Sequence, residues 1–166
     1  DPHLAIARAK IEDAEGLVQR DARHAVAGAG LDQRVPRGDH HRLRLRGLHA
    51  AGDAGIEAQV VEFEQPTRTS TEAAVAIGCS VAEIAKSIVF RGQESGRAVV
   101  VVASGDNRVS EAKVAAQVHE PLARADPDFV RAATGYAIGG VAPIGHAQPV
   151  KLLLDKYRAG DLDEVY

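Results

Sequence analysis

The strongest hydrophobic pattern in the chain is an unbroken apolar run at residues 97–103 (RAVVVVA). A run of this length without polar interruption is typical of a central strand that is covered on both faces. Further strands are predicted at residues 58–63 (AQVVEF), 87–90 (SIVF) and 150–154 (VKLLL), where β-branched, aromatic or leucine residues are concentrated. The pattern therefore predicts at least four strands.

Polar residues between these strands predict helix starts. Two of the four candidate N-caps have a glutamate three residues later, which is the spacing of a capping box. The four are Thr69 (with Glu72), Ser80 (with Glu83), Ser110 and Asp126. Gly78 and Gly135 are placed to end two of these helices, and a further short helix is predicted from Gly47 to about Gly55. Because helices and strands alternate unevenly, we expect an α+β fold with a mixed, partly barrel-like sheet.

The composition changes near residue 50. Residues 1–50 carry a net charge of +2 and the remainder −5, and all six aromatic residues lie in the later part. We therefore divide the 166 residues into a poorly defined N-terminal extension (1–46) and one domain (47–166). Without a long apolar segment or a signal pattern, we expect a soluble, cytoplasmic protein. The net charge of −3 disfavours a protein that coats nucleic acid, although it permits binding of one RNA end.

The most unusual segment is the glycine-rich loop, residues 135–145 (GYAIGGVAPIG). Its glycines permit positive φ angles and close approach of the backbone to a ligand, while Pro143 restricts its own φ. It lacks the spacing of a dinucleotide-binding motif and the GK[ST] ending of a P-loop. On composition alone, a tight structural turn and a ligand-binding loop are both open.

Four side chains are candidates for chemistry. Lys86 could offset a helix dipole or could hold a phosphate or another ligand oxygen. Asp155 could face solvent at a strand end or could belong to a pocket. His146 could act as an acid or base, but the sequence offers it no orienting partner. Cys79 could be a nucleophile near a helix N-terminus or a small buried thiol, and no Cys/His cluster has the spacing of a zinc site.

The order of these motifs resembles the YbaK and prolyl-tRNA editing-domain family over about residues 56–166. The segments that carry the resemblance are IGCSVAEIAKSIVF, SGDNRVSEAKVA, TGYAIGGVAPIGH and VKLLLD, above all Lys86 combined with the GGVAP sequence. The resemblance implies hydrolysis of the ester that joins a wrong amino acid to the terminal adenosine of tRNA, without a metal or cofactor. The implied catalytic residues are Lys86, Gly140, Pro143 and Asp155. The implied substrate-binding residues are Phe63, Gly139, Val141, Ala142 and His146.

Two departures from the family pattern affect these expectations. Phe63 stands where some relatives carry a pocket tyrosine, which leaves the amino-acid preference open. The family usually continues beyond DLDEVY with a strand and a helix, so this domain is expected to lack them. The N-terminal extension is interpreted as a mobile tail, a basic arm that touches tRNA, or a segment that is not native coding sequence.

The leading hypothesis is a free-standing aminoacyl-tRNA deacylase that removes cysteine or alanine from tRNA for proline. Its expected partners are the acceptor end of mischarged tRNA and, as a candidate, prolyl-tRNA synthetase, with neither a membrane nor specific duplex DNA involved. The alternative is a binding module that uses the same cavity without turnover, as a tRNA-end binder or a synthetase-associated regulator. A sequence-specific DNA binder is disfavoured, because no helix-turn-helix or zinc pattern is present.

Overall fold

A computed structural model describes residues 37–53, 69–155 and 162–165, and for 37–44 and 162–165 it describes the backbone. The strand predicted at residues 58–63, including Phe63, lies outside the described residues. Within them, the helices are α1 (Arg37–Asp53), α2 (Ser70–Ile77), α3 (Glu111–Val118) and α4 (Pro127–Thr134). The strands are β1 (Ala85–Gly92), β2 (Ala98–Ser104), β3 (Leu122–Arg124), β4 (Lys151–Asp155) and β5 (Leu162–Val165).

Most helix starts and ends lie at the residues that the sequence predicts. Thr69 and Glu72 form a reciprocal capping box at α2, and Ser110 and Asp126 cap α3 and α4 through their side chains. Gly78 and Gly135 end α2 and α4 in the left-handed conformation, with φ angles of 78° and 75°. Local polar chemistry is therefore enough to predict these boundaries.

Two helical segments differ from the prediction. The helix expected from Gly47 begins ten residues earlier, at Arg37. The Arg and Leu residues at 42–46 have good helix propensity, whereas the Gly, Asp and His residues at 38–41 do not, so propensity explains only part of the difference. The capping box of Ser80 and Glu83 begins only a single 3-10 turn, Val81–Glu83. The turn is short because buried Ile84 follows it directly and β1 begins at Ala85.

The five strands form one mixed sheet in the order β3-β1-β2-β4-β5. β2 and β4 are parallel, and the other three neighbouring pairs are antiparallel. The predicted α+β class and the mixed sheet are confirmed. The described strands form an open sheet, with β3 and β5 at its edges.

The apolar run of β2 occupies the centre of the sheet, as predicted, and separates two hydrophobic clusters. One face carries α3, where Val114 packs with residues that include Val99, Val101 and Leu153. The other face carries α4 and the glycine-rich loop, where Val100 packs with residues that include Val130, Tyr136, Val141 and Ala142. Alternate residues of β2 therefore serve opposite faces. No helix among the described residues combines the length and apolar content needed to cross a membrane.

Candidate functional site

Lys86 and Asp155 lie in one row across the sheet, on either side of Ala103. Lys86 on β1 is directly opposite Ala103 on β2, and residues paired in this way share a face of the sheet. Asp155 follows Leu154, which is in register with Val102, so the next position of β4 is beside Ala103. Ala103 is 2% exposed and has a small side chain, which leaves the space above it to the two longer charged side chains. The row lies on the face of the sheet that carries α3.

The Lys86 ammonium is partly buried at the end of β2. Its Nζ donates a hydrogen bond to the carbonyl of Gly105 over 2.9 Å. Burial lowers the pKa of Lys86, and attraction to Asp106 and Asp155 opposes that effect. Lys86 is the second residue of β1 and donates to a turn carbonyl. This geometry fits a cation that holds a local anion or oxygen better than it fits a helix-dipole partner.

The turn after β2 can form only with glycine at position 105. A Cβ there would clash with the carbonyl oxygen of Val81 and would lie 2.9 Å from Cβ of Ser70. The Gly105 amide in turn donates to the Ile84 carbonyl over 2.7 Å. The close approach of backbone to backbone thus fixes the carbonyl that receives Lys86.

Asp155 does not behave as a solvent-facing carboxylate. Its Oδ2 accepts a hydrogen bond of 2.6 Å from Nδ2 of Asn107, whose backbone amide donates to the Ser104 carbonyl. Its Oδ1 is buried and has no hydrogen-bond partner among the described residues. A buried carboxylate oxygen without a donor is costly, so this atom is suited to receive a donor from a ligand or water.

Asn107 is a contact residue that sequence reasoning missed. The SGDN segment, residues 104–107, is recognisable as a turn, and it follows the central strand directly. Its position at the end of β2 was the available clue, because polar side chains at a shared strand edge converge. The pairing with Asp155, 48 residues later, depends on the parallel alignment of β2 and β4.

The glycine-rich loop is anchored at both ends. The Tyr136 hydroxyl donates to the Ile144 carbonyl over 2.9 Å, and the Ala147 amide donates to the carbonyl of Thr134, the last residue of α4. Gly139 is exposed with a φ angle of 82°, whereas Gly140 is buried and its amide donates to the Ala137 carbonyl. Pro143 lies half-buried next to buried Val141 and Ala142. The loop therefore presents a constrained backbone on the α4 side of the sheet.

His146 has an orienting partner that the sequence did not reveal. Its Nε2 lies 2.9 Å from the Ala142 carbonyl, and because a carbonyl can only accept, Nε2 carries the proton. Burial lowers the pKa of His146; the bond to Ala142 opposes this shift, and the nearby Arg46 guanidinium adds to it. The ring meets Tyr136 edge-on at 6.3 Å, and burial raises the pKa of Tyr136 to about 12. Both side chains are thus suited to hold the loop in their neutral forms.

The predicted site residues form two groups. Lys86 and Asp155 meet at the end of β2, while Gly139, Gly140, Val141, Ala142, Pro143 and His146 lie together in and beside the loop. The sheet register assigns the first group to the α3 face, whereas Val141 and Ala142 pack on the other face. Cys79 packs against the cluster of Ala73, Ala74 and Ile84, as expected for a small structural thiol.

Within the described ranges, no three His, Cys, Asp or Glu side chains are grouped so that they could hold a metal ion.

The described residues define an α+β domain with a mixed, open sheet, and comparison with known proteins identifies its family. Residues 64–161 match the model of the aminoacyl-tRNA editing domain family. The chain belongs to that family. The match includes Lys86, Asp155 and the whole glycine-rich loop, and it excludes α1.

Relatives are found among bacterial proteins. The chain is 37% identical over 99 residues to uncharacterized protein YwhH of Bacillus subtilis (strain 168), covering 60% of this chain and 62% of YwhH. It is 40% identical over 81 residues to a proline–tRNA ligase of Leuconostoc mesenteroides, covering 48% of this chain and 14% of the ligase. The chain thus spans less than two thirds of either relative.

Solved structures share the fold. A crystal structure named as "a putative trans-editing enzyme for prolyl tRNA synthetase" has 43% identity and a TM-score of 0.62, covering 67% of this chain and 70% of that one. The hypothetical protein APE2540 has 28% identity and a TM-score of 0.60, covering 66% of this chain and 73% of its own.

Proposed function

We propose that this protein is an aminoacyl-tRNA deacylase that hydrolyses tRNA for proline carrying cysteine or alanine, acting in trans alongside prolyl-tRNA synthetase. Membership of the editing-domain family supports the class of reaction. The similarity to a structure named as a trans-editing enzyme, and to a proline–tRNA ligase, supports the choice of tRNA. The observation that carries the proposal is the row of Lys86 and Asp155, in which one oxygen of Asp155 is buried and has no hydrogen-bond partner in the part of the chain that the structure describes.

In this proposal Lys86 binds an oxygen of the tRNA 3′ end. An ammonium group has three donors, and one of them is directed to the Gly105 carbonyl. The others are available for a phosphate or for the ester oxygen on which negative charge develops during hydrolysis. Partial burial strengthens such a contact, because the interaction is less screened by water. The pull of Asp106 and Asp155 favours the charged form that the contact requires.

Asp155 is proposed to receive a donor from the substrate or from the attacking water through its unpaired Oδ1. Asn107 fixes the other oxygen, so the carboxylate keeps one orientation. The loop residues Gly139–Pro143 are proposed to hold the ester through backbone groups, with Phe63 and His146 completing the amino-acid pocket. Such a site contributes mainly orientation and electrostatic stabilisation.

The proposed reaction is a direct hydrolysis of the ester by water, without a covalent enzyme intermediate. The oxygen of a water molecule attacks the ester carbonyl carbon, and the bond from that carbon to the ribose oxygen breaks. One proton from the water passes to the ribose oxygen, which leaves as the hydroxyl of tRNA. The other proton is released to solvent as the amino acid leaves as its carboxylate.

A deacylation assay tests the proposal directly. Purified protein is incubated with tRNA for proline charged with cysteine, alanine, serine or proline, and loss of the ester is followed over time. We expect hydrolysis of the cysteine or alanine ester and survival of the proline ester. Binding of these tRNAs without hydrolysis of any of them would instead support a non-catalytic module.

A further inference from the structure

Arg46 of α1 contacts both ends of the glycine-rich loop. Its Nη1 donates a hydrogen bond to the Gly145 carbonyl over 3.0 Å. At the other end of the loop, a Cβ placed on Gly135 would lie 2.6 Å from the same nitrogen and 2.8 Å from Cζ of Arg46. The guanidinium therefore covers the backbone of Gly135 while it bonds to Gly145, ten residues later.

The rest of this part of α1 packs equally closely on the loop. A Cβ on Gly145 would lie 2.8 Å from Cβ of Ala50 and 3.3 Å from the carbonyl oxygen of Arg46. Gly135 and Gly145 both have positive φ angles, of 75° and 73°. The backbone conformation thus favours glycine at both positions, and at Gly145 the close approach of Ala50 and of the α1 backbone favours it as well.

This contact joins a helix outside the family match to the loop inside it. α1 ends at Asp53, and the match to the editing-domain family begins at residue 64. Among the described residues, Arg46 hydrogen-bonds to Gly145 and lies against Gly135, which are the two ends of the loop and not part of Gly139–Pro143. Its effect on a substrate held by those central residues is therefore indirect.

We propose that Arg46 is a positioning residue, which bridges the two ends of the glycine-rich loop and so holds Gly139–Pro143 in the geometry that receives the ester. The catalytic part of this inference rests on the proposed deacylase function. An arginine suits the task because its planar guanidinium can bond to one backbone segment while its face covers another. A lysine at the same position keeps the charge but cannot cover and bond in this way.

The test compares Arg46→Met and Arg46→Lys with the wild-type protein. Arg124→Met is the matched control, because Arg124 is an exposed arginine on edge strand β3. Hydrogen exchange of the Gly140 amide in the loop, and of the Ala147 amide just after it, reports how firmly the loop is held, independently of activity. Deacylation rates on the best wild-type substrate report its consequence, and circular dichroism verifies folding.

In Arg46→Met we expect about five- to tenfold faster exchange in the loop, since the lost bond is charge-assisted but exposed. We also expect kcat to fall about tenfold with KM little changed, because the loop acts on the ester and the bulk of tRNA binding lies elsewhere. Arg46→Lys should recover part of both losses, and Arg124→Met should show neither.

Two results would overturn the proposal. Loop exchange at the wild-type rate in Arg46→Met would show that the guanidinium does not hold the loop. Faster exchange with unchanged kcat would show that the loop geometry is not rate-determining. If the wild-type protein hydrolyses no charged tRNA, the proposed function fails, and the exchange data alone then decide whether Arg46 holds the loop.

Discussion

Replacing Lys86 with methionine should reduce deacylation by about two to three orders of magnitude while the protein stays folded. Methionine keeps an apolar stem of similar length and removes the ammonium group. A preorganised charged donor directed at a developing negative charge typically contributes a factor of about 10² to 10³, or about 3–4 kcal/mol. Partial burial of Lys86 places it in the environment where such a contribution is expected.

The expected cost to stability is much smaller. The substitution removes the 2.9 Å bond to the Gly105 carbonyl, which is worth about 1 kcal/mol net. It also removes a charge that burial disfavours, as the lowered pKa of Lys86 indicates, and this partly offsets the loss. Against a typical free energy of unfolding of about 5–15 kcal/mol, the variant remains almost entirely folded. A large loss of rate can therefore not be explained by unfolding.

The assay is deacylation of cysteine- and alanine-charged tRNA at matched protein concentration, with urea unfolding as the measure of stability. Lys113→Met, an exposed lysine on α3, is the control for removal of a positive charge. In the wild-type protein, the enzymatic rate should also fall as pH rises through a pKa below the ordinary lysine value of about 10.4. Near wild-type rates in Lys86→Met would refute the assignment of the site to the end of β2.

Three further predictions concern the loop and the turn. Gly139→Ala should lower the free energy of unfolding by about 1–2 kcal/mol, from its positive φ alone. Gly145→Ala should lower it by about 3 kcal/mol or more in urea unfolding, because its Cβ would also lie 2.8 Å from Cβ of Ala50. Equal losses in the two variants would contradict the packing of α1 on the loop. Burial lowers the pKa of His146 in the folded state, so the unfolded chain binds the proton more tightly and stability should fall as pH falls below about 6.5. Thermal melts at several pH values should show a smaller fall for His146→Gln than for the wild-type protein. An identical pH dependence in the two proteins would exclude His146 as the source. Asn107→Ala removes the hydrogen bond to Oδ2 of Asp155 and should lower the free energy of unfolding in urea by about 1–3 kcal/mol. Deacylation should also slow. An unchanged rate would show that the orientation of the Asp155 carboxylate is not used in the reaction.

The parts of the fold that follow local rules were predictable from the sequence. Four consecutive valines at residues 99–102 favour a strand that is covered on both faces, which lies inside a sheet; Val99, Val100 and Val101 are buried and Val102 is half-buried. The N-cap side chains of α3 and α4 bond within three residues of themselves, so the nearby sequence determines them. The second capping box shows the limit of this reasoning, since the same local chemistry produced a single 3-10 turn where the next strand began at once.

The site depends on contacts that are distant along the chain. Lys86 and Asp155 were identifiable as candidates, but the row that joins them depends on a parallel pairing of β2 with β4 that no local pattern encodes. The same holds for Asn107 and Asp155, and for Arg46 and Gly145, which are 99 residues apart. Residue type and spacing predict candidates; strand register and helix docking decide which of them meet.

The sheet also limits where a substrate can lie. Lys86 and Asp155 share the α3 face, whereas the loop residues Val141 and Ala142 pack with Val100 on the opposite face. One ester that contacts both groups cannot rest on either face, because the buried residues of β2 lie between them. If Lys86 and the loop hold one ester as proposed, that ester should lie beyond the carboxyl end of β2, where β2 ends at Ser104, β1 begins and β4 ends.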